Sequence, residues 1–334
     1  MIIPLILILA SIFVLYMNYQ NTGEFINKGV SLKGGVQVTV FTDENIEIAP
    51  FQEYLTGIFP DKDISVRALS RAGKQIGYIV TGDISVNDNE QIDALISEMS
   101  KFTKTKLTKD DYNIEFIGSS LGQSFFLQTL KALIMAFMFM GAVVFYYFAE
   151  NKKAKFIVIS LTLLDSIFVF KYFLTNIPMT IVSGVIALFL LVVFLKESPP
   201  SFAVILSIVS DLIVTIAIVD LLGMKISTAG IAALLMLVGY SVDTDILLST
   251  RMLKRYQNDH FAGFVSALKT GLLTTLTTVT AVTVAIVLTE SETLKQIMTI
   301  VLIGLLVDIV NTWIQNAGLL RWYLEIKERR LKHD

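Results

Sequence analysis

The chain has 334 residues, 54% hydrophobic and 17% charged, with a mean hydropathy of +0.67 and a formal net charge of -2. A soluble domain carries about 25% charged residues, so an ordinary cytosolic enzyme is excluded. Without a basic surplus to neutralise phosphates, so is a nucleic-acid partner. Cysteine is absent and the only histidines are His260 and His333, which removes disulfides, thiol catalysis and a histidine-rich metal site.

Crossing a hydrocarbon core about 30 Å thick takes roughly 20 apolar residues. Eight runs reach that length, near 2–20, 125–149, 155–174, 177–195, 201–222, 227–250, 271–289 and 294–319. They predict a polytopic α-helical membrane protein of about eight spans. Residues 1–20 read as an uncleaved transmembrane anchor, because no basic n-region precedes the run and no A-x-A-like cleavage site follows it. Met1 opens almost inside the run, which is compatible with a natural start further upstream.

Between the first and second runs lies a polar segment, 21–124, long enough to fold by itself. It holds 10 basic and 15 acidic residues, so the near-neutral total conceals an acidic domain. Extended patterns at Val36–Phe41, Ile64–Leu69, Gln75–Thr81 and Tyr112–Ile117 alternate with helical patterns near Pro50–Phe59 and Asn89–Phe102. The order βαββαβ predicts an α+β, ferredoxin-like domain. Ala72, Gly73 and Lys74 suit a tight turn between the middle strands, and Asp88 suits a helix N-cap. The segment contains no histidine, no cysteine and no phosphate loop, so it reads as a binding or mechanical module. Gly34 and Gly35 in SLKGG mark a turn or a close backbone approach.

The bundle is assigned to 125–320 and a basic cytoplasmic tail to 321–334. Lys152, Lys153 and Lys155, then Arg251, Lys254 and Arg255, then the tail place three segments on the cytoplasmic side. Eight spans then put both termini in the cytoplasm and 21–124 outside. Trp313, Trp322 and Tyr323 read as interfacial anchors, and the threonines from Thr274 to Thr283 as packing groups between helices.

Ionisable residues inside spans are costly, by about 2.5–3.5 kcal/mol even on lenient scales, and are functional candidates. Asp165, Asp211 and Asp308 each lie midway along a run. Asp243 precedes Arg251 by eight residues, about 12 Å along a helix, and Asp245 is slightly shallower. Two residues apart means about 200° of rotation, so at most one of Asp243 and Asp245 belongs to a central path. Arginine stays protonated, so Arg251 can serve as counter-charge or gate, while the aspartates can bind and release a proton. The competing reading has these carboxylates merely holding the bundle together. For Asp165 that reading is favoured, because FIVISLTLLDSI from Phe156 aligns with FAVILSIVSDLI from Phe202 as a tandem hairpin repeat within 125–222.

LLMLVGYSVDTDILLSTRMLKR, residues 234–255, closely resembles the fourth-span signature of the archaeal-type SecF family. IGLLVDIVNTWIQNAGLLRWYLE resembles that family's last span, PSFAVILSIVSDL its third, and SLKGG its glycine motif entering the outer domain. The resemblance covers nearly the whole chain except one hairpin. It implies a member of the SecD/SecF group in the resistance-nodulation-division superfamily, with a six-span core, Gly34, Gly35, Gly239, Tyr240 and Ser241 as motif residues, and an outer domain after the first span.

The resemblance further implies a non-enzymatic subunit that works with a SecD-like partner and a SecY-type translocon in a lipid membrane, the cytoplasmic one. There it would draw a translocating polypeptide outward using the ion-motive force. The expected ion-coupling group is Asp243 or Asp245 with Arg251, Asp211 and Asp308, the ion being H+ or Na+, with no other cofactor and no metal. Bacterial relatives carry Asn then Asp where this chain has Asp243 and Thr244, so which aspartate substitutes is open. Ser31 stands where an acidic residue often precedes KGG. A superfamily exporter of small molecules or lipids and a purely structural membrane partner are the alternatives.

Overall fold

The computed structural model describes residues 2–331 apart from 43, 61, 72, 73, 86, 87, 106, 109, 110, 118, 256–258 and 290. The expected turn at Ala72 and Gly73 and the last tail residues, Lys332 and His333 among them, lie outside the described residues.

Helix α1, Ile2–Thr22, leads through a short turn, α2 at Val30–Lys33, into the outer domain. There β1 (Gly35–Phe41), α3 (Ile48–Ile58), β2 (Ser65–Arg71), β3 (Lys74–Gly82), α4 (Asn89–Thr103) and β4 (Tyr112–Ile117) follow in the expected order. The sheet runs β2-β3-β1-β4 with every neighbouring pair antiparallel. Strand alternation decides which face is covered: Val36, Val38 and Val40 point inward with Val66, Tyr78 and Val80, and against them pack Phe51 and Leu55 of α3 and Ile92, Leu95 and Met99 of α4. Asp88 caps α4 as its side chain accepts the Gln91 backbone N–H at 3.1 Å.

The SLKGG motif is half helix and half turn. α2 ends at Lys33, and Gly34 and Gly35 take φ of +88° and +144°, which a side chain would strain. The turn lies against the start of α5, Ser119–Phe148, where a Cβ on Gly122 would sit 2.8 Å from the Gly34 backbone nitrogen and 3.0 Å from the Leu32 carbonyl oxygen. These glycines let the entry to the outer domain touch the membrane bundle backbone to backbone.

The remaining helices are α6 (Lys152–Tyr172), α7 (Ile177–Glu197), α8 (Pro199–Leu221), α9 (Thr228–Thr250), α10 (His260–Leu288), α11 (Glu292–Val310) and α12 (Ala317–Leu331). Seven of the described helical stretches are long and apolar enough to cross a membrane. α6 is not among them, since Lys152, Lys153, Lys155, Asp165 and Lys171 dilute its apolar run. The last span and the expected tail are one helical rod: α11 passes through a π-helical turn at Asn311–Asn316 into α12, which continues to Leu331. A second π turn, Arg251–Arg255, extends α9.

α8, α9 and α11 pack against one another at the centre; α1 lies on α8, α5 on α8 and α9, and α10 on α11. The hairpin α6–α7 is peripheral, with α5 and α7 as the chief neighbours of α6. Trp313 does not anchor the interface: it is buried with Phe264 and Leu320, over Gly271, whereas Trp322 is exposed. The threonines of α10 do not stitch helices together either, as Thr274, Thr277, Thr280 and Thr283 bond carbonyls of their own helix and stay exposed, and Thr275 alone of that group is buried.

Candidate functional site

Three of the expected aspartates meet at the centre of the bundle. Asp211 of α8, Asp245 of α9 and Asp308 of α11 are 0%, 0% and 1% exposed. Each sits on the inward stripe of a mostly apolar helix, so folding the helices together buries all three carboxyls.

Asp211 accepts hydrogen bonds from the Ser241 hydroxyl at 2.6 Å and from Asn311 Nδ2 at 2.8 Å. Asp308 accepts from Thr244 at 3.1 Å and from Thr312 at 3.0 Å, and its carboxyl also faces Ser241 and Asp211. Asp245 accepts from Thr312 at 3.0 Å and from Asn316 Nδ2 at 2.7 Å, while its second oxygen has no hydrogen-bond partner. The Ser207 hydroxyl of α8 also faces the Asp245 carboxyl. Gln315 completes the polar layer by donating to Ser210 at 3.0 Å.

The π turn is what assembles these donors. Asn311, Thr312, Gln315 and Asn316 are all buried on its inner side, facing α8 and α9. π turns widen a helix locally and recur at functional sites. Sequence reasoning missed these four residues, although the signal is there: NTWIQN interrupts an apolar span at positions three, four, seven and eight after Asp308, one helical face.

The two other expected members stand apart. Asp243 is exposed, on an outward stripe of α9 with Ala232, Met236, Gly239 and Tyr240, because it is rotated about 200° from Asp245. Arg251 turns to α10, donating to the Ser266 carbonyl, to the Ser266 hydroxyl at 2.7 Å and to Thr270 at 2.9 Å. The motif residues divide likewise, Ser241 inside the site and Gly239 and Tyr240 outside it. Among the described residues no cation pairs with the three carboxylates, and no group of three acidic, histidine or cysteine side chains is arranged to hold a metal ion.

A second set of contacts joins this core to the outer domain. The α8–α9 loop is strapped to the stem after α1: Ile226 N–H donates to Asn27 O at 2.7 Å, Gly29 N–H to Ile226 O at 2.9 Å, and Thr228 N–H to the Ser31 hydroxyl at 3.3 Å. Asn27 also reaches Asp220 at the end of α8. The same loop pairs with α11, through Ser227 and Gln296, and with the outer domain, through Lys225 and Asp63. Beside it a cavity of about 360 Å³ separates Gln52, Ser65 and Arg67 of the domain from Lys225 and Gln296 below.

Fold and site together define a class: a multi-pass membrane protein that carries a folded α+β domain between its first and second apolar helices and encloses carboxylates at its centre. Residues 173–326, which contain all three buried aspartates, match the family described as protein export membrane protein SecD/SecF, C-terminal. The chain is 32% identical over 328 residues to the protein-export membrane protein SecF of Methanocaldococcus jannaschii, covering 96% of this chain and 94% of that one. It is 31% identical over 330 residues to SecF of Methanolacinia petrolearia, covering 97% and 92%.

Its fold is similar to the crystal structure of SecDF, a translocon-associated membrane protein, from Thermus thermophilus, with a TM-score of 0.57 at 16% identity, spanning 96% of this chain and 37% of that one. The chain belongs to the SecF family of protein-export membrane proteins. It is a transport component and not an enzyme.

Proposed function

We propose that the chain works beside a SecD-like subunit at a SecY-type translocon in the cytoplasmic membrane, and that Asp211, Asp245 and Asp308 bind and release the ion, H+ or Na+, whose gradient drives its stroke. The observation that carries the coupling is the charge balance of the site. Three ionised carboxylates in a dry interior with no cation at hand are untenable, since each unpaired buried charge costs several kcal/mol. At least one of them therefore holds a proton or a small cation in any stable state.

Thr312 provides a physical way of switching. Its hydroxyl oxygen lies 3.0 Å from an oxygen of Asp245 and 3.0 Å from an oxygen of Asp308, and its single proton serves one at a time. A protonated Asp308 donates to Thr312, which then donates to Asp245; moving the proton to Asp245 reverses the chain. Occupancy thus decides how α9 and α11 are tied. The strapped α8–α9 loop is the route by which a shift of these helices reaches the domain that handles the emerging polypeptide.

Eight spans, with α6 crossing between α5 and α7, and both termini in the cytoplasm satisfy the positive-inside count. The βαββαβ order and antiparallel β2-β3-β1-β4 sheet support a ferredoxin-like split βαβ unit outside the membrane. The outward stripe of α9 is the face we assign to the SecD-like partner, because Asp243 there is costly against lipid and gains from a covering helix with a donor.

The test is export driven by an imposed H+ or Na+ gradient, comparing Asp245→Asn with Asp243→Asn in the assembled complex. Asp245→Asn is expected to abolish the gradient-dependent increment, and Asp243→Asn to leave it within about twofold. Normal gradient-driven export by Asp211→Asn, Asp245→Asn and Asp308→Asn alike removes the coupling assignment.

A further inference from the structure

Asp165 lies midway along α6, in the peripheral hairpin, outside the central site. It is 0% exposed, and neither of its carboxylate oxygens has a hydrogen-bond partner. Around it lie the hydroxyls of Thr162, Ser166 and, from α7, Ser183. Ser166 spends its proton on the Leu163 carbonyl at 2.7 Å. The repeat supplies a natural comparison: Asp211 occupies the corresponding position in the second copy and receives two donors, Ser241 and Asn311, from neighbouring helices, whereas Asp165 faces the single hydroxyl of Ser183.

Among the described residues no charge compensates it. α7 has no ionisable side chain from Ile177 to Leu195, and α5 offers Lys131, Tyr146 and Tyr147. Lys131 donates to the Phe170 carbonyl at 3.0 Å, more than a turn along α6, Lys155 stands over the Tyr146 ring, Lys254 over the Tyr147 ring, and Lys171 over Tyr172. An ionised carboxylate enclosed in this way loses its hydration and regains no cation, with the Ser183 hydroxyl its one facing donor from a neighbouring helix. Complete burial also prevents a partner subunit from supplying one. The neutral acid has neither difficulty, and its O–H can be donated to Ser183.

We propose that Asp165 is a second proton-binding site of this protein, separate from the central aspartates, where the carboxyl is held as the neutral acid between α6 and α7. Its chemistry follows. A protonated carboxyl in apolar surroundings adds to a lipid-soluble carbodiimide: the acid proton moves to one carbodiimide nitrogen and the carboxylate oxygen bonds to the central carbon. The O-acylisourea formed rearranges to a stable N-acylurea, with no leaving group and no oxidant.

The test uses the full chain in liposomes at pH 7, where exposed carboxyls are ionised. Infrared spectra of wild type and Asp165→Asn are compared in the region of the protonated-acid carbonyl stretch. The wild type is expected to show a band that the variant loses and that adding Na+ at constant pH leaves unchanged. Identical spectra, or a band removed by Na+, overturn the proposal. Should Asp165→Asn not fold, dicyclohexylcarbodiimide labelling of the wild type decides. An N-acylurea on the Asp165 peptide at least tenfold above that on carboxylates of the outer domain supports it, and labelling no higher than theirs overturns it. Both readouts are independent of export, so they stand or fall apart from the central coupling site.

Discussion

At the scale of single residues, Thr312 is the side chain on which the central site depends most, because one hydroxyl stands between two carboxylates. Thr312→Val keeps the branched shape and removes the shared donor. A hydrogen bond to a charged group is worth about 1.5–3 kcal/mol, so thermal unfolding in detergent is expected at a lower temperature. Gradient-driven export should fall with it, and Thr312→Ser, which restores the hydroxyl, should recover both. Loss of stability with unchanged export would reduce Thr312 to a packing group. Of the site, Asp211, Asp245 and Asp308 were legible in the sequence because an intramembrane carboxylate is conspicuous against leucine and valine. Their partners Asn311, Thr312 and Asn316 were not, since neutral polar side chains are cheap enough in a span to pass unnoticed. Arg251 and Asp243 lie apart from the three buried aspartates, because nearness along one helix does not bring side chains together when they leave on different faces.

At the scale of elements, the outer domain was the most predictable part. Period-two alternation in β1 and the apolar stripes of α3 and α4 fix which faces meet, and those patterns are local. The short α2 turn was not foreseen, because its four residues have no periodicity to detect; its backbone contact with Gly122 and the Ser31–Thr228 hydrogen bond give it a purpose. Gly122→Ala forces a Cβ against the backbone of Leu32 and Gly34 and is expected to cost about 1–3 kcal/mol. The measurement is thermal unfolding of the purified protein, and an unchanged midpoint would mean that the contact is slack. The π turn after α11 was equally hidden, since nothing in NTWIQN distinguishes a π register from an α register before neighbouring helices demand the donors.

At the scale of the whole molecule, the strapped α8–α9 loop governs how motion is passed on, and the peripheral α6–α7 hairpin governs the topology. The chain has no cysteine, so introduced thiols are unique reporters. Cysteines replacing Glu150 and Thr175, on either side of α6, are expected to react with an impermeant maleimide from the cytoplasmic and the outer side respectively. Labelling from the same side would leave α6 on the surface and reduce the spans to seven.

Hydrophobicity and charge bias are properties of a segment by itself, so the sequence alone determined that this is a multi-pass membrane protein with a folded polar segment after its first apolar run, and it singled out the carboxylates that interrupt the later runs. Which of them share a site depends on helix rotation and on donors arriving from residues a hundred positions away, as Asn311 does at Asp211. Only the tertiary structure decided that. It alone separated Asp245 from Asp243, turned Arg251 toward α10, and left Asp165 enclosed without a partner.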